Sequence, residues 1–187
     1  MRTTIPLRIA LVTCVALIAS SSMAQDKGKS EAAELSSESQ AALTQLYARV
    51  PFAKALGPKA HAVLVFPEVK KAGFVVGGQY GEGALLQKGK AVGYYKTTGG
   101  SVGLQAGAQT YGYALFFMNA AALKQLDKAG GFEIGVGPSF VVVDEGMGKS
   151  LTTTTADKDI YAFIFGQKGL MAGIGLQGNK LAKIQPK

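Results

Sequence analysis

Apolar residues recur at helical spacing up to Val50 and then change to the alternating and continuous patterns of strands. Ala42, Leu43, Leu46, Tyr47 and Val50 share one side of a helix, and Ser37 and Gln40 have the spacing of a capping box at its start. Pro51 ends or restarts that helix, and Phe52 to Leu56 predicts one more turn, closed by Gly57-Pro58. His61 to Phe66 is apolar on both faces and predicts a central, covered strand that Pro67 ends. Ala72 to Tyr80 and Glu82 to Gln87 follow as strands. Lys88-Gly89-Lys90 reads as a tight turn into Ala91 to Thr97, and Thr98-Gly99-Gly100 as a second turn into Ser101 to Gln109. In this last strand Val102, Leu104, Ala106 and Ala108 face one way, Gly103, Gln105, Gly107 and Gln109 the other. A face of glycine and glutamine lets a backbone or a ligand approach closely.

Tyr111 to Met118 is bulky on both faces. Asn119 is placed to cap a short helix through Lys128, with Leu123 and Leu126 inward and Gly130 as its stop. Phe132 to Val143 predicts further strand, broken at Gly137-Pro138. Asp144 to Lys149 reads as a loop and Ser150 to Ala156 as an edge strand. Asp159 to Phe165, Leu170 to Leu176 and Leu181 to Ile184 complete the pattern. Of the 25 glycines, 23 stand at Gly73 or later, spaced among Val, Ile, Phe and Tyr. The fold class expected is α+β and β-rich. It is an antiparallel sandwich or barrel-like sheet of many short glycine-rich strands, covered by two or three short helices.

The first residues have a different character. Arg2 and Arg8 precede an apolar run from Ile9 to Ala19, and Ser22-Met23-Ala24 forms a small-x-small site. This is the layout of a secretory signal peptide over 1–24, cleaved before Gln25. Residues 25–37 then form a flexible polar leader, and 38–187 one domain. The expected location is exported: periplasm, cell envelope or secreted. Cleavage would remove Cys14, the only cysteine, so the mature domain would rely on packing without disulfides.

Charge is concentrated between Arg49 and Lys96. Eight basic residues (Arg49, Lys54, Lys59, Lys70, Lys71, Lys88, Lys90 and Lys96) stand there against Glu68 and Glu82, an excess of six. Such a segment on an exported chain suits acidic partners such as anionic lipid headgroups.

Catalytic patterns are lacking. Gly148-Lys149-Ser150 has Val143 where a phosphate-binding loop needs glycine. Gly173-x-Gly175-x-x-Gly178 fits a dinucleotide motif, but only nine residues follow it, too few for a helix and second strand. His61, the single histidine, has no cysteine or Glu-x-x-His partner, and reads as a packed ring. Asp157 with Asp159, and Asp144 with Glu145, are too few for a calcium site. Neither catalytic residues, a metal nor a cofactor is expected. With no tryptophan and no aromatic residues interleaved with the basic ones, nucleic acid is not an expected partner.

The runs AVLVFPEVKKAGFVVGGQYGEGALL, GSVGLQAGAQ, ALFFMNAAALKQL, GVGPS and DIYAFIFGQKGLMAGIGLQG, in this order, resemble the SYLF domain family over roughly Leu43 to Lys183. The resemblance implies lipid binding. Eukaryotic members are phosphoinositide-binding modules, some linked to actin, and bacterial members are exported. On this chain it points to the helix Ala41 to Val50 with Phe52, Lys54 and Lys59, and to Lys70 and Lys71 in the core motif. The eukaryotic Trp-Ser-x-Pro stretch is replaced by Val92 to Thr97, and Thr110-Tyr111-Gly112 stands where an acidic residue is usual. The expectation is therefore an exported, non-enzymatic domain that binds anionic phospholipids or membrane surfaces. Its lipid- and phosphate-binding residues are Arg49, Lys54, Lys59, Lys70 and Lys71, and its apolar membrane contacts Leu46, Tyr47 and Phe52. The rival expectation is a structural or self-associating envelope protein with a protein partner.

Overall fold

The computed structural model describes residues 12–74, 76–102, 107–128, 130–134, 139–143, 158–169, 176 and 178–186. Among these, α1 (Val12–Arg49) and α2 (Pro51–Leu56) precede the strands β1 (Ala62–Phe74), β2 (Val76–Gln87), β3 (Lys90–Val102) and β4 (Gly107–Phe117). Then come α3 (Ala120–Leu123), continued by a 3-10 turn over Lys124–Asp127, and β5 (Phe132–Glu133), β6 (Phe140–Val143), β7 (Ile160–Gly169) and β8 (Lys180–Ile184). The eight strands form one curled sheet in the order β5-β8-β3-β2-β1-β4-β7-β6. Every pairing is antiparallel except β6 with β7, which is parallel. The β-rich α+β expectation holds, and of the two shapes expected the sheet takes the barrel-like one, a single layer curled into a half-barrel rather than a sandwich, though it is mixed rather than antiparallel.

Both faces of the sheet are covered, which is why its central strands read as apolar on two sides. On one face α1 and α2 lay Ala42, Leu46, Val50, Phe52, Ala53 and Leu56 over Val63, Val65, Ala84, Phe116 and Phe163. On the other, concave face Leu64, Phe66, Tyr113, Leu115, Ile160 and Ile164 pack with Leu126, Phe132, Ile134 and Leu176. Strand β4 serves both, with Tyr113, Leu115 and Phe117 to one side and Ala114 and Phe116 to the other.

Local chemistry explains the joints. Val50 is extended (φ −122°, ψ 94°), as a residue before proline must be, and this breaks α1 from α2. Lys88 and Gly89 both take positive φ, 49° and 77°, which matches the right-handed twist of the β2–β3 hairpin. Asn119 caps α3, its Oδ1 accepting the Ala122 N–H at 2.8 Å.

Four sequence expectations change. α1 is continuous through the expected cleavage site and leader, so Ser37 lies within a helix and does not cap one; Gln40 instead donates to the Ser36 hydroxyl at 3.3 Å. Pro67 does not end β1. It sits in a bulge where Val65 pairs with Ala84 but Glu68 with Glu82, so β1 spends one residue more than its partner. The expected strand Ala72 to Tyr80 is split by a hairpin whose last pair is Phe74 with Val76. Thr98-Gly99-Gly100 does not turn but continues β3, paired with Tyr80, Gln79 and Gly78. The loop Asp144 to Lys149, the strand Ser150 to Ala156 and residues 103–106 lie outside the described residues, as does all of 170–176 except Leu176. Among the described residues no helix is long and apolar enough to cross a membrane.

Candidate anion-binding surface

The structure does not gather the expected site residues on one face. Leu46 and Phe52 are buried at 0% and 4% exposure, in the core between α1, α2 and the sheet. Phe52 packs against the rings of Tyr161 and Phe163, at 5.7 and 5.9 Å between centroids. Tyr47 is half-buried, edge-on to Phe116 at 6.3 Å. These side chains hold the helices to the domain. Arg49, Lys54, Lys59 and Lys70 are exposed, whereas Lys71 is 7% exposed on the concave face. Lys54 and Lys59 precede β1, while Lys70 lies roughly 25 Å along it at ~3.3 Å per residue. His61 is also exposed rather than packed, its Nδ1 3.1 Å from the Met118 carbonyl oxygen.

A different set of lysines does share a face. The bulge at Pro67 turns Lys70 to the α1 side of the sheet, beyond the end of the helical cover. There the register places Lys180, Thr98, Tyr80, Lys70, Thr110 and Lys168 side by side across β8, β3, β2, β1, β4 and β7. Neighbours in such a row are about 4.8 Å apart, so the band crosses six strands in roughly 24 Å. All six are exposed or half-exposed. In the next row Glu68, Glu82 and Lys96 are paired, and Lys70 Nζ lies 3.3 Å from a Glu68 carboxylate oxygen. At this exposure that pair adds little stability. Tyr80 donates its hydroxyl to Glu82, and this bond, with partial burial and the Glu82 charge, pushes the phenol up to about 12. Tyr80 and Val76 are the exposed large apolar residues on this face, 48% and 66% exposed.

Each end of the band opens into a concavity. At the β8 end a cleft of about 600 Å³ is walled by Lys96, Lys128, Lys180 and Lys183, with Asp127 the one carboxylate among the described residues that line it. At the other end a groove of about 910 Å³ runs between α1 and the strands, lined by Arg49 and Lys168 and by Glu38 and Glu68. The first is strongly positive and the second nearly balanced. Among the described residues no three His, Cys, Asp or Glu side chains gather as a metal site.

Residues 98–185, just under half of the chain, match the family model described as "Ysc84: Las17-binding protein actin regulator". The SYLF resemblance is borne out over that stretch. The SYLF family is associated with lipid and actin binding. The matched segment contributes Thr98, Lys128, Lys180 and Lys183 to the positive cleft and Lys168 to the groove. No curated protein matches the chain. Sequence reasoning missed the cleft because its lysines are far apart in the chain, and only strand register brings them together. The one local hint is Lys180-Leu-Ala-Lys183, which puts two ammonium groups on one short strand.

Proposed function

We propose that this is an exported, non-catalytic SYLF-type domain that docks on anionic phospholipid surfaces through the β8 edge of its sheet and the α1-side face next to it. The observation that carries this reading is the cleft of Lys96, Lys128, Lys180 and Lys183, with Asp127 the one carboxylate among its described residues, continued across the sheet by Lys70 and Lys168. Each near-surface lysine contributes ~1 kcal/mol of attraction to an anionic leaflet, so four to six of them support reversible docking. Val76 and Tyr80 on the same face supply shallow apolar contact in place of Leu46 and Phe52.

The test is co-sedimentation with phosphatidylcholine vesicles, with and without phosphatidylglycerol, over a range of ionic strength. Anionic vesicles should pellet the protein at low salt and release it as salt rises. The triple variant Lys96→Glu, Lys180→Glu, Lys183→Glu should lose pelleting, and Lys54→Glu, Lys59→Glu should retain it. Equal pelleting with neutral and anionic vesicles, or equal loss in both variants, would defeat the reading.

A second reading, an acidic protein partner on the same lysines, is supported by the matched family's description as a Las17-binding actin regulator. Lipid-independent, salt-sensitive association with such a partner in light scattering would favour it.

A further inference from the structure

The two ends of the sheet differ in kind. At one end β2 and β3 are joined through Lys88-Gly89-Lys90, all three exposed. At the other, the β1–β2 hairpin closes at the pair Phe74 and Val76, with Val75 between them in the chain. Turns that face water are ordinarily built from glycine, asparagine, aspartate, serine or proline. Three apolar residues at one mark it as a contact surface. Val76 is 66% exposed, the most exposed large apolar side chain among the described residues.

This end also protrudes. Strands β1 and β2 run on past the row of Lys180, Tyr80, Lys70 and Lys168, from Lys70 to Phe74 and back from Val76 to Tyr80. That is about 13 Å at ~3.3 Å per residue. Strands β3 and β4 go with them, whereas β8 starts at Lys180 and β7 ends at Gly169. The chain has no Asp, Glu, Lys or Arg from Ala72 to Gly81 or from Thr97 to Leu123. Its backbone is paired on both sides: β1 with β2 as far as Phe74 and with β4 as far as Gly73, and β2 with β3 as far as Val76. Uncharged strands with paired backbone are what a hydrocarbon layer tolerates.

The row behind the tip has the opposite character. Lys180, Lys70 and Lys168 are exposed, and Tyr80, 48% exposed, stands beside Lys70 in the same row. Lys70 Nζ leans on Glu68, on the side away from the tip. Cations and a tyrosine behind an apolar end match the layers of an anionic bilayer: charged headgroups, an aromatic-rich interface, then acyl chains. A second copy of this chain, docked tip to tip, would instead bring like charges together. Charge complementarity therefore selects the bilayer.

We propose that the domain docks end-on, the β1–β2 tip at Val76 dipping into the boundary between headgroups and acyl chains while Lys180, Tyr80, Lys70 and Lys168 lie level with the headgroups. This rests on the docking reading above and adds to it the inserted element and the orientation. Peripheral apolar segments bury about 5–10 Å into that boundary, less than the ~13 Å by which the tip protrudes. Lys96 and Lys183 of the β8 cleft stand behind the row, away from the tip.

The chain has no tryptophan, so a single one can report position. Val76→Trp places it at the tip, and Val92→Trp places it near the opposite end of the sheet at another exposed valine. Each full-length variant is mixed with phosphatidylcholine–phosphatidylglycerol vesicles, with and without phosphatidylcholine brominated on its acyl chains. Emission of Val76→Trp should shift to the blue and be quenched by the brominated lipid, and that of Val92→Trp should do neither. Val76→Asp should weaken vesicle binding at least tenfold at an unchanged melting temperature. Vesicle-bound Val76→Trp that escapes quenching, or quenching of Val92→Trp in its place, would overturn end-on docking and leave the docking reading standing. Undiminished binding by Val76→Asp would do the same. A blue shift without vesicles that grows with protein concentration would replace the bilayer by a second copy of the chain. Wild-type protein that ignores anionic vesicles would sink both readings together.

Discussion

Ser39 on α1 and Ala84 on β2 are joined by a hydrogen bond, the Ala84 N–H donating to Ser39 Oγ at 3.3 Å. The same hydroxyl donates to the Val65 carbonyl at 3.4 Å. Val65 and Ala84 are the last regular pair before the Pro67 bulge, so a helix side chain serves backbone groups where the ladder is interrupted. Ser39 itself is fully buried.

Replacing Ser39 by alanine should therefore cost about 1–3 kcal/mol, because it leaves a buried carbonyl and a buried N–H without their partner. Urea unfolding followed by circular dichroism measures it. A loss within ~0.5 kcal/mol of zero would mean that the hydroxyl is replaceable by water.

Leu46→Ala should cost ~2–5 kcal/mol and Phe52→Ala ~3–5 kcal/mol, as both fill the core under α1 and α2. Vesicle pelleting of the protein that remains folded should be unchanged. The reverse, normal stability with lost pelleting, would return these residues to a membrane role.

The fold was legible where a pattern is local. Tyr111 to Met118 is bulky on both faces because β4 has a core on each side, and Asn119 and Lys88-Gly89 carry their cap and turn in their own chemistry. Pro67 misled because a bulge leaves its missing N–H unused. Thr98-Gly99-Gly100 misled because Gly99 is there to make room for Asn179 and Gln79, not to turn the chain. The parallel pairing of β6 and β7 has no signature in either segment. The lysine band was only half legible: the excess charge could be counted, but Lys70, Lys168 and Lys180 become neighbours through register alone.

Alkaline pH should weaken the domain through its buried tyrosines. Burial pushes Tyr111 up to about 12, against a hydrogen bond with the Asn179 side chain that lowers it, and pushes fully buried Tyr113 up against one with Thr97. A raised folded value leaves stability intact below the unfolded value of about 10. It is then lost as pH rises through the folded values, since only the unfolded chain ionises readily. Melting temperature should fall between pH 10 and 12, and Tyr111→Phe should flatten that fall. An unchanged slope in the variant would show that the loss has another source.

Asp159 behaves in the opposite sense. Its carboxylate accepts from the Ser139 N–H at 2.9 Å, the Ser139 hydroxyl at 2.8 Å and Asn119 Nδ2 at 2.6 Å. The Ser139 bonds foremost, then Asn119, lower its pKa from the ordinary value. Stability from this latch is present above the ordinary carboxylate range and lost as pH falls through the lowered value. Asp159→Asn should destabilise at neutral pH and differ less from wild type in strong acid, as read from melting temperature. A difference that does not shrink in acid would exclude ionisation as the cause.

Were β1 to alternate strictly through Pro67, with the same residues and no bulge, its far half would roll over. Val69 and Lys71 would look outward, and Glu68 and Lys70 would be sealed inside. Which ammonium meets solvent is thus decided by the bulge at a single point, not by the identity of either lysine. A one-residue deletion there would remove the bulge, restore strict alternation and keep the inner and outer inventories of that strand's outer half as they are.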